Sequence, residues 1–288
     1  MPNLLRPPIL KMTDVFRQTV AVLSAAGIES PRLETRMMLG GIIGCDDNGV
    51  GADVVLSPKQ KQELDEMVRR RARHEPLDKI LGFRDFYKYR FKVSRDVLSP
   101  RPDSETLVEA AVSIARRGRS KTILEFGVGS GCLILSILGD VPDMTGTGVD
   151  KSAAALKVAA ANAESLGLSD RVVWRQFDYF SNDAVGQKFS MIISNPPYIP
   201  TADIAGLDKE VREYDPLMAL DGGADGYCHY RRLAEIVPPL LDEGGYVLLE
   251  AGMGQADTIA GIFEKQGLAL ENKICDLSGI ERCIILKK

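Results

Sequence analysis

The chain has 288 residues, 45% of them hydrophobic, which is enough apolar material for one large domain or a small domain beside a large one. Its net charge of −4 argues against a protein whose affinity comes mainly from nucleic-acid phosphates, because that affinity needs clustered Lys and Arg. The start of the chain is broken by Arg6, Pro7 and Pro8, and no stretch approaches the roughly 18 uncharged apolar residues that span a bilayer. Neither export nor membrane insertion is therefore expected.

The five cysteines are odd in number, widely scattered and without metal-type spacing. Cysteines used in this way are typical of reduced thiols. We therefore expect a cytoplasmic protein, and we expect no metal site.

Residues 1–76 have the pattern of a small helical bundle. A first helix is predicted behind a cap at Thr13. A second helix opens after Ser30 with Leu33 on its apolar face, and a third opens after Ser57. These signals predict an N-terminal helical domain.

The segment 69–73, "RRRAR", closes the third helix. We interpret it as a solvated last turn whose arginines complement the helix dipole, and a docking patch for an acidic partner is the alternative. Residues 77–100 contain the aromatic and β-branched run "ILGFRDFYKYRFKVSRDVL", which alternates in part. This run predicts a β-hairpin linker.

From residue 101 to residue 288 the chain reads as one α/β domain. Short apolar runs alternate there with helical segments; the runs are "TILEF" (122–126), "TGTGVD" (145–150), "RVVWR" (171–175), "FSMIIS" (189–194), "GYVLLE" (245–250) and "CIILK" (283–287). Alternation of this kind predicts a doubly wound, parallel sheet with helices on both faces. The last run follows "LENKICDLSGIER" (270–282) after only a short turn, too short for a helical crossover, so an antiparallel edge pair is predicted there.

A glycine-rich loop, "EFGVGSG", places Gly127, Gly129 and Gly131 between the first strand of this domain and a helix. Glycines let the backbone approach a ligand closely, and a helix N-terminus offers unpaired N–H groups. Asp150 ends the next strand 19 residues after Gly131, where it can accept hydrogen bonds from a ribose. Because the glycine spacing differs from the dinucleotide fingerprint and Asp150 stands where a ribose would bind, a nucleoside ligand is favoured. The alternative is that the glycines form only a tight turn and Asp150 only a turn or cap.

Asp178 and Tyr179 follow the third strand, at the end of the sheet where the ligand crevice of a doubly wound fold lies. Asp178 is a candidate acceptor for an adenine amino group, and Tyr179 is a candidate to lie against the ring. The alternative is that Tyr179 and Phe180 form a small apolar cluster under the loop.

The segment 195–200, "NPPYIP", ends the fourth strand. Pro196 and Pro197 lack N–H donors and leave free carbonyls, while Asn195 adds a side-chain carbonyl oxygen. Tyr198 offers a flat face for stacking. The segment therefore predicts a receptacle for an amide or an aromatic amine.

Taken in order, these motifs resemble those of the class I S-adenosylmethionine-dependent methyltransferases, and within them the release factor glutamine N5-methyltransferase family (PrmC/HemK). The resemblance covers nearly the whole chain through "EPLDKILGFRDFY", "LSPRPDSETLVEAA", "EFGVGSG", "GVD", "NPPYIP", "DGGADGYCHYRRL", "GGYVLLEAG" and "ERCIIL". Enzymes that methylate amino groups of DNA and RNA bases share "NPPY", so "RPDSE" (101–105) and the N-terminal domain decide the closer relationship. Glu125 and Tyr179 depart mildly from the family pattern, which often has Asp and Trp there.

This resemblance implies a mostly parallel, seven-stranded sheet, with S-adenosyl-L-methionine as cofactor and S-adenosyl-L-homocysteine as product. Asp150 would bind the ribose hydroxyls, Asp178 and Tyr179 would flank the adenine, and Asn195 would border the cofactor. The glycine loop would line the methionine and ribose part through Gly127, Val128, Gly129, Ser130 and Gly131.

The implied substrate is the glutamine in the Gly-Gly-Gln loop of class 1 peptide chain release factors, so that methylation modulates translation termination. The implied catalytic and substrate-binding residues are Asn195, Pro196, Pro197 and Tyr198. The N-terminal domain would recognise the release factor, and a monomer without direct nucleic-acid binding is expected.

Three other functions remain as alternatives. An N-methyltransferase of exocyclic amino groups in DNA or RNA bases would use the same "NPPY" geometry. A dinucleotide-dependent oxidoreductase is disfavoured by the glycine spacing, and a binding module without catalysis is disfavoured by the intact cofactor motif.

Two further assignments concern residues around these motifs. We interpret His74 and His229 as structural, so that no histidine serves as a general base. "RPDSE" reads as a helix start, and a role for Arg101 and Glu105 in bracing the substrate loop is the alternative.

Overall fold

A computed structural model describes residues 11–45, 54–118, 121–181 and 186–288. The chain divides into two compact units, of which the first ends at Gly82 and the second begins at Phe83. The division lies beyond the boundary expected after residue 76, and it assigns 77–82 to the helical unit and the hairpin to the second unit.

The helical unit consists, within the described ranges, of α1 (Met12–Ala25), α2 (Pro31–Ile43), α3 (Pro58–Arg71) and α4 (Leu77–Leu81). Both predicted starts with proline are confirmed, because α2 and α3 begin directly after Ser30 and Ser57. At α3 the cap is reciprocal: Ser57 Oγ accepts from Gln60 N, and the Gln60 side chain accepts from Ser57 N. The unit has its own apolar core, which includes Leu23, Met38, Leu39, Leu64 and Val68.

Two details of the predicted helices are wrong. Helix α1 begins one residue before Thr13, with Lys11 at the N-cap, because Met12 is part of the buried face of the helix. Leu33 is 48% exposed. The buried side of α2 is formed instead by Met38 and Leu39, which belong to the core of the unit.

The arginine segment at the end of α3 is held within the helical unit. Arg71 is buried, and its Nε lies 2.5 Å from Glu34 Oε2. Arg70 pairs with Glu75 at 2.8 Å, and Arg69 is largely exposed beside Glu66. The interpretation as a solvated turn is therefore wrong for Arg71, since a buried ion pair of this kind fixes one helix against another.

The second unit begins with the predicted hairpin, formed by β1 (Phe83–Phe86) and β2 (Tyr89–Lys92). A seven-stranded sheet follows. Its strands are β3 (Thr122–Phe126), β4 (Thr145–Asp150), β5 (Val172–Gln176), β6 (Phe189–Ser194), β7 (Leu241–Glu250), β8 (Ala269–Cys275) and β9 (Glu281–Lys287). The order across the sheet is β5-β4-β3-β6-β7-β9-β8, and only the pairs that include β9 are antiparallel. This confirms the doubly wound, mostly parallel sheet and the antiparallel pair at its edge.

Helices cover the sheet on both faces. They are α5 (Glu105–Arg117), α6 (Cys132–Asp140), α7 (Ala153–Ser165), α9 (Cys228–Leu240) and α10 (Ala256–Glu264). A further short helix, α8 (Lys209–Tyr214), lies between β6 and β7 in the chain and has no buried residue. Adjacent side chains of β3 pack on opposite faces of the sheet. Ile123 belongs to the apolar core with α5 and α6, and Leu124 belongs to the core with α9 and α10. Burial on both faces explains why central strands such as β3 and β6 are continuous apolar runs.

The chain order reverses beside β3, because β4 lies on one side of it and β6 on the other. In sheets of this type the crevice outside the carboxyl ends of the strands at such a point receives the ligand. The glycine loop follows β3, Asp150 ends β4 and Asn195 follows β6, so the fold brings all three to this crevice.

Candidate active site

A cavity of about 600 Å³ opens at the carboxyl ends of the parallel strands. Its lining comes mainly from 96–101, 127–130, 150–152, 178–180 and 216–219, together with Ser104, Glu125, Cys132, Leu133, Ala155, Asn195, Pro197, Asp221 and His229. Motifs that are far apart in the sequence therefore share one site within the second unit.

The glycine loop takes the backbone conformation that its sequence suggests. Gly127, Gly129 and Gly131 have φ angles of 74°, 52° and 78°, in the left-handed region that favours glycine. Gly127, Val128, Gly129 and Ser130 line the cavity. Gly131 instead caps α6, where an added Cβ would lie 3.2 Å from Ala159 Cβ, so its role is close packing.

Asp150 joins the end of β4 to this loop. Its Oδ2 accepts from Gly129 N at 3.0 Å, and its Oδ1 accepts from Ser152 N at 2.8 Å. Burial raises the pKa of Asp150, while the backbone hydrogen bonds from Gly129, Ser152 and Lys151 oppose that shift. The carboxyl lines the cavity with its orientation fixed, which suits the recognition of neighbouring hydroxyl groups.

Asp178 and Tyr179 also line the cavity. Asp178 forms an ion pair with Lys151 at 2.9 Å and accepts from Phe180 N at 3.0 Å. The hydrogen bond from Lys151 and that from Phe180 lower the pKa of Asp178. The ring centroids of Tyr179 and Phe180 lie 5.2 Å apart, so the apolar contact that was considered as an alternative is also present.

His229 lies at the same cavity, a position that the sequence did not indicate. Its Nε2 lies 3.1 Å from the Asp221 carbonyl oxygen, to which only an N–H can donate. Nδ1 therefore accepts from the Tyr179 hydroxyl, its other partner. Burial lowers the pKa of His229. Because both ring nitrogens are bonded, His229 orients Tyr179, in keeping with the structural role that we expected for it.

The segment that follows β6 divides into exposed and buried parts. Asn195 and Pro197 line the cavity, whereas Pro196 is buried. The Tyr198 ring is not part of the cavity lining among the described residues; it packs against the core with α9 and α10. Burial raises the pKa of Tyr198 to about 12. The side chain that faces the cavity from this segment with polar atoms is thus Asn195.

The "RPDSE" segment lies at the cavity as a short 3₁₀ helix, Pro102–Ser104, that leads into α5. Arg101 pairs with Asp215 at 2.7 Å, next to the 216–219 part of the lining. Glu105 accepts from Tyr87 N of the hairpin at 2.8 Å, so this contact directs it toward the hairpin. Ser104 contacts the segment that follows β6, because Asn195 Nδ2 lies 3.4 Å from its Oγ.

The cavity suits a ligand with both polar and apolar parts. Ser99 Oγ is buried at its wall without a hydrogen-bond partner among the described residues, which is the state expected of a donor that serves a ligand. Glu125, the mild departure in the loop motif, lies at the base of the wall and accepts from Ile134 N of α6 at 3.0 Å. A nucleoside with a charged tail fits the combination of the loop, the Asp150 carboxyl and the Tyr179 ring.

The described ranges contain neither a cluster of metal ligands nor a membrane-spanning helix. There is no group of three or more His, Cys, Asp or Glu side chains there that is arranged to hold a metal ion. None of the helices there is long and apolar enough to cross a membrane.

Comparison with known proteins decides the family. The family described as "PrmC N-terminal domain" matches residues 14–82, and "Methyltransferase small domain" matches residues 102–206. The release factor glutamine methyltransferase of Rhodospirillum rubrum is 43% identical over 268 residues, which cover 92% of this chain and 82% of the relative. That of Geobacter sulfurreducens is 39% identical over 282 residues and covers 97% of both chains.

The chain belongs to the release factor glutamine methyltransferase family. The resemblance first seen in its motifs is thereby confirmed. Among solved structures, a methyltransferase from Pyrococcus furiosus covers 69% of this chain and 88% of its own length, with 19% identity and a TM-score of 0.49. Membership of the family rests on the sequence relatives.

Proposed function

We propose that this protein transfers a methyl group from S-adenosyl-L-methionine to the side-chain amide nitrogen, N5, of the glutamine in the Gly-Gly-Gln loop of class 1 peptide chain release factors. One observation carries the proposal: Asn195 lies in the same cavity as the glycine loop and Asp150. The names of the curated relatives agree with it. Such a substrate makes the protein a cytoplasmic enzyme of translation termination, and we infer that it acts as a monomer.

The residues of this chain have distinct roles toward the cofactor, which supplies an electrophilic methyl group on a sulfonium. We infer that the 127–131 loop lies along the methionine and ribose part, with Gly127 to Ser130 at the ligand. Asp150 accepts from the ribose hydroxyls, and Asp178 and Tyr179 flank the adenine. Asn195 borders the cofactor on the side of the substrate.

The side chain at the end of β6 makes the substrate nitrogen reactive by holding it in place. A glutamine amide nitrogen is a poor nucleophile, because its lone pair is delocalised into the carbonyl. Asn195 Oδ1 and the Pro196 carbonyl accept its two N–H bonds, which fixes the nitrogen in line with the methyl group and stabilises the positive charge that develops on it. Pro197 and Tyr198 complete the substrate-binding segment, with the Tyr198 ring supporting it from the core.

Orientation contributes more here than proton transfer. Holding two reactants in a productive geometry lowers a barrier by roughly 7 to 11 kcal/mol, whereas a general base contributes about 10² to 10⁴ in rate. His229 lies at the cavity, but both of its ring nitrogens are already bonded. The chemistry therefore depends on the placement of the amide by Asn195.

The test is a methyl-transfer assay with isotope-labelled S-adenosyl-L-methionine and three substrates in parallel: a class 1 release factor, total RNA and DNA. We expect label on the glutamine of the Gly-Gly-Gln peptide, located by mass spectrometry. A release factor with Gln→Ala in that peptide is the matched control and should take up no label. Label on nucleic acid alone would overturn the proposal in favour of methylation of base amino groups.

A further inference from the structure

Behind Asn195 a chain of side chains leads into the protein interior. Asn195 Nδ2 lies 3.4 Å from Ser104 Oγ, and Ser104 Oγ lies 2.5 Å from Glu250 Oε2. Ser104 is 3% exposed and Glu250 is 1% exposed, so bulk water does not compete for these contacts. Ser104 precedes α5 and Glu250 ends β7, so the chain connects two elements to the end of β6.

The direction of these hydrogen bonds follows from the chemistry of the groups. An ionised carboxylate accepts only, so Ser104 must donate its single hydroxyl proton to Glu250. Ser104 Oγ is then left as an acceptor toward Asn195. The amide has one nitrogen that donates and one oxygen that accepts, so Nδ2 must face Ser104. Oδ1 therefore points away from Ser104.

We propose that Ser104 and Glu250 are positioning residues that hold the Asn195 amide with Oδ1 toward the substrate nitrogen. This rests on the proposed function, in which Oδ1 accepts an N–H bond of the glutamine amide. If the Asn195 amide were reversed, its NH2 group would face the NH2 group of the substrate, and two donors would meet. The orientation of a single amide thus separates a productive complex from an unproductive one.

The groups around Glu250 set its pKa and therefore the pH range in which the Asn195 amide is held in this orientation. Burial raises the pKa of Glu250 to about 7, and the hydrogen bond from Ser104, the charge of Arg282 and a direct hydrogen bond from the Asn195 amide oppose that shift. Glu250 can therefore hold the NH2 group of Asn195 directly as well as through Ser104. Other ionisable groups that interact with its carboxyl are Asp103, Cys132, Tyr198, Tyr230 and Cys283. Tyr230 also fixes the end of β7, since its hydroxyl donates to the Glu250 backbone carbonyl at 2.7 Å.

Protonation of Glu250 removes the preference of the Asn195 amide for one of its two orientations. A neutral carboxyl can donate to Ser104, and the Ser104 proton is then free to turn toward Asn195 and to attract Oδ1. The arrangement is therefore strongest above the pKa of Glu250 and weakens as the pH falls through it. Arg282 keeps its charge throughout this range because a guanidinium stays protonated far above neutral pH, and Asp276 and Asp103 lie beside it.

The first test removes the hydroxyl. In Ser104→Ala we expect kcat at pH 8 to fall about 10- to 100-fold, the loss typical of removing a group that orients a site residue, with little change in KM for the release factor. Ser104→Thr restores a hydroxyl and should recover most of the rate. Ser136→Ala is the matched control, because Ser136 is also buried, lies outside the cavity lining and has no partner for its hydroxyl among the described residues. Wild-type kcat in Ser104→Ala would overturn the proposal.

The second test uses pH. In the wild type, kcat should rise through a pH of about 7 as Glu250 ionises. In Glu250→Gln this rise should be absent, because glutamine does not titrate. A rise of the same size and midpoint in both proteins would assign it to another group and contradict a role for Glu250.

A third measurement needs no turnover. The two amide protons on Asn195 Nδ2 can be followed by ¹⁵N NMR in the presence of S-adenosyl-L-homocysteine. We expect well separated shifts in the wild type, where one proton is bonded to Ser104, and a smaller separation in Ser104→Ala. Identical spectra would overturn the proposed orientation whether or not a release factor is methylated, whereas absence of methylation with the expected spectra would overturn only the proposed function.

Discussion

Asn195 directly follows strand β6, where the two prolines that come next have no N–H groups to continue the sheet. Its side chain is the polar group of this segment that lines the cavity. For Asn195→Ala we expect kcat to fall about 10² to 10³-fold, the usual cost of losing one preorganised polar contact to a transition state. Single-turnover methylation of the release factor measures this directly. The Kd for S-adenosyl-L-homocysteine, measured by calorimetry, should change far less, and turnover near that of the wild type would remove Asn195 from the mechanism.

Asp150 acts on the cofactor side of the same cavity. Asp150→Ala removes a carboxyl that faces the ligand and also releases Gly129 N in the loop. Hydrogen bonds to charged groups contribute about 1.5 to 3 kcal/mol, so we expect the Kd for S-adenosyl-L-homocysteine to rise about 10- to 100-fold. Calorimetry tests this, with Asp170→Ala as the control because Asp170 is exposed and lies outside the cavity lining. An unchanged Kd in Asp150→Ala would contradict ribose binding by this residue.

How far single residues were predictable depended on where their partners lie in the sequence. Gly127, Asp150 and Asn195 were found because each directly follows or ends an apolar run, and parallel strands bring such positions to one edge. Ser104 and Glu250 are 146 residues apart, and nothing local marks their contact. His229 was missed as a cavity residue for the same reason, since its partner Tyr179 is 50 residues away.

At the scale of elements, helix α7 is tied to both the hairpin and the glycine loop by one side chain. Asn162 is fully buried; its Oδ1 accepts from Lys92 N at 2.7 Å, and its Nδ2 donates to the Lys92 and Ser130 carbonyls at 3.0 and 2.9 Å. Unpaired buried polar groups cost about 1 to 3 kcal/mol each. Asn162→Ala should therefore lower the free energy of unfolding by about 3 kcal/mol.

Urea denaturation of the intact protein measures this change as a lower midpoint at an unchanged slope. The control is Gln266→Ala, an exposed position at which we expect a change within about 0.5 kcal/mol. If Asn162→Ala also stayed within that range, water would have replaced the lost partners and the proposed tie between the three elements would be absent.

Elements were predictable where burial leaves a pattern and less so at their ends. Strands β3 and β6 are buried on both faces, so they stand out as apolar runs with the predicted bounds. Strand β7 begins at Leu241, earlier than the predicted start at 245, because Leu241 pairs with Phe189 before a shift in register. The polar residues and glycines that follow Leu241 interrupt the apolar pattern, so the sequence did not indicate that start. Likewise Arg71 was taken as solvated because its buried partner Glu34 lies on another helix.

For the whole molecule, the two units have separate tasks in the proposed function. Among the residues that the structure describes, those that line the cavity all belong to the second unit, and the helical unit has a core of its own. Residues 14–82 match the family's N-terminal domain as a block of its own. We infer that the second unit binds the cofactor and the glutamine, and that the helical unit recognises the body of the release factor.

Hydrogen exchange of the full-length protein tests this division of tasks. A ligand at 100 times its Kd stabilises the unit that binds it by about 2.7 kcal/mol, which corresponds to about 100-fold slower exchange of the most protected amides. S-adenosyl-L-homocysteine should therefore slow exchange in β3, β4 and β6 by up to this factor and leave α1, α2 and α3 little changed.

Addition of a class 1 release factor to the product complex should then slow exchange in the helices of the first unit. A release factor whose Gly-Gly-Gln loop is changed to Gly-Gly-Ala is the control: it should still protect α1 to α3, because its body is intact, while it loses protection around Asn195. Protection confined to the second unit would instead mean that the catalytic unit alone recognises the substrate. In that case the helical unit would need a different role, and its buried Arg71–Glu34 pair would serve the stability of that unit alone.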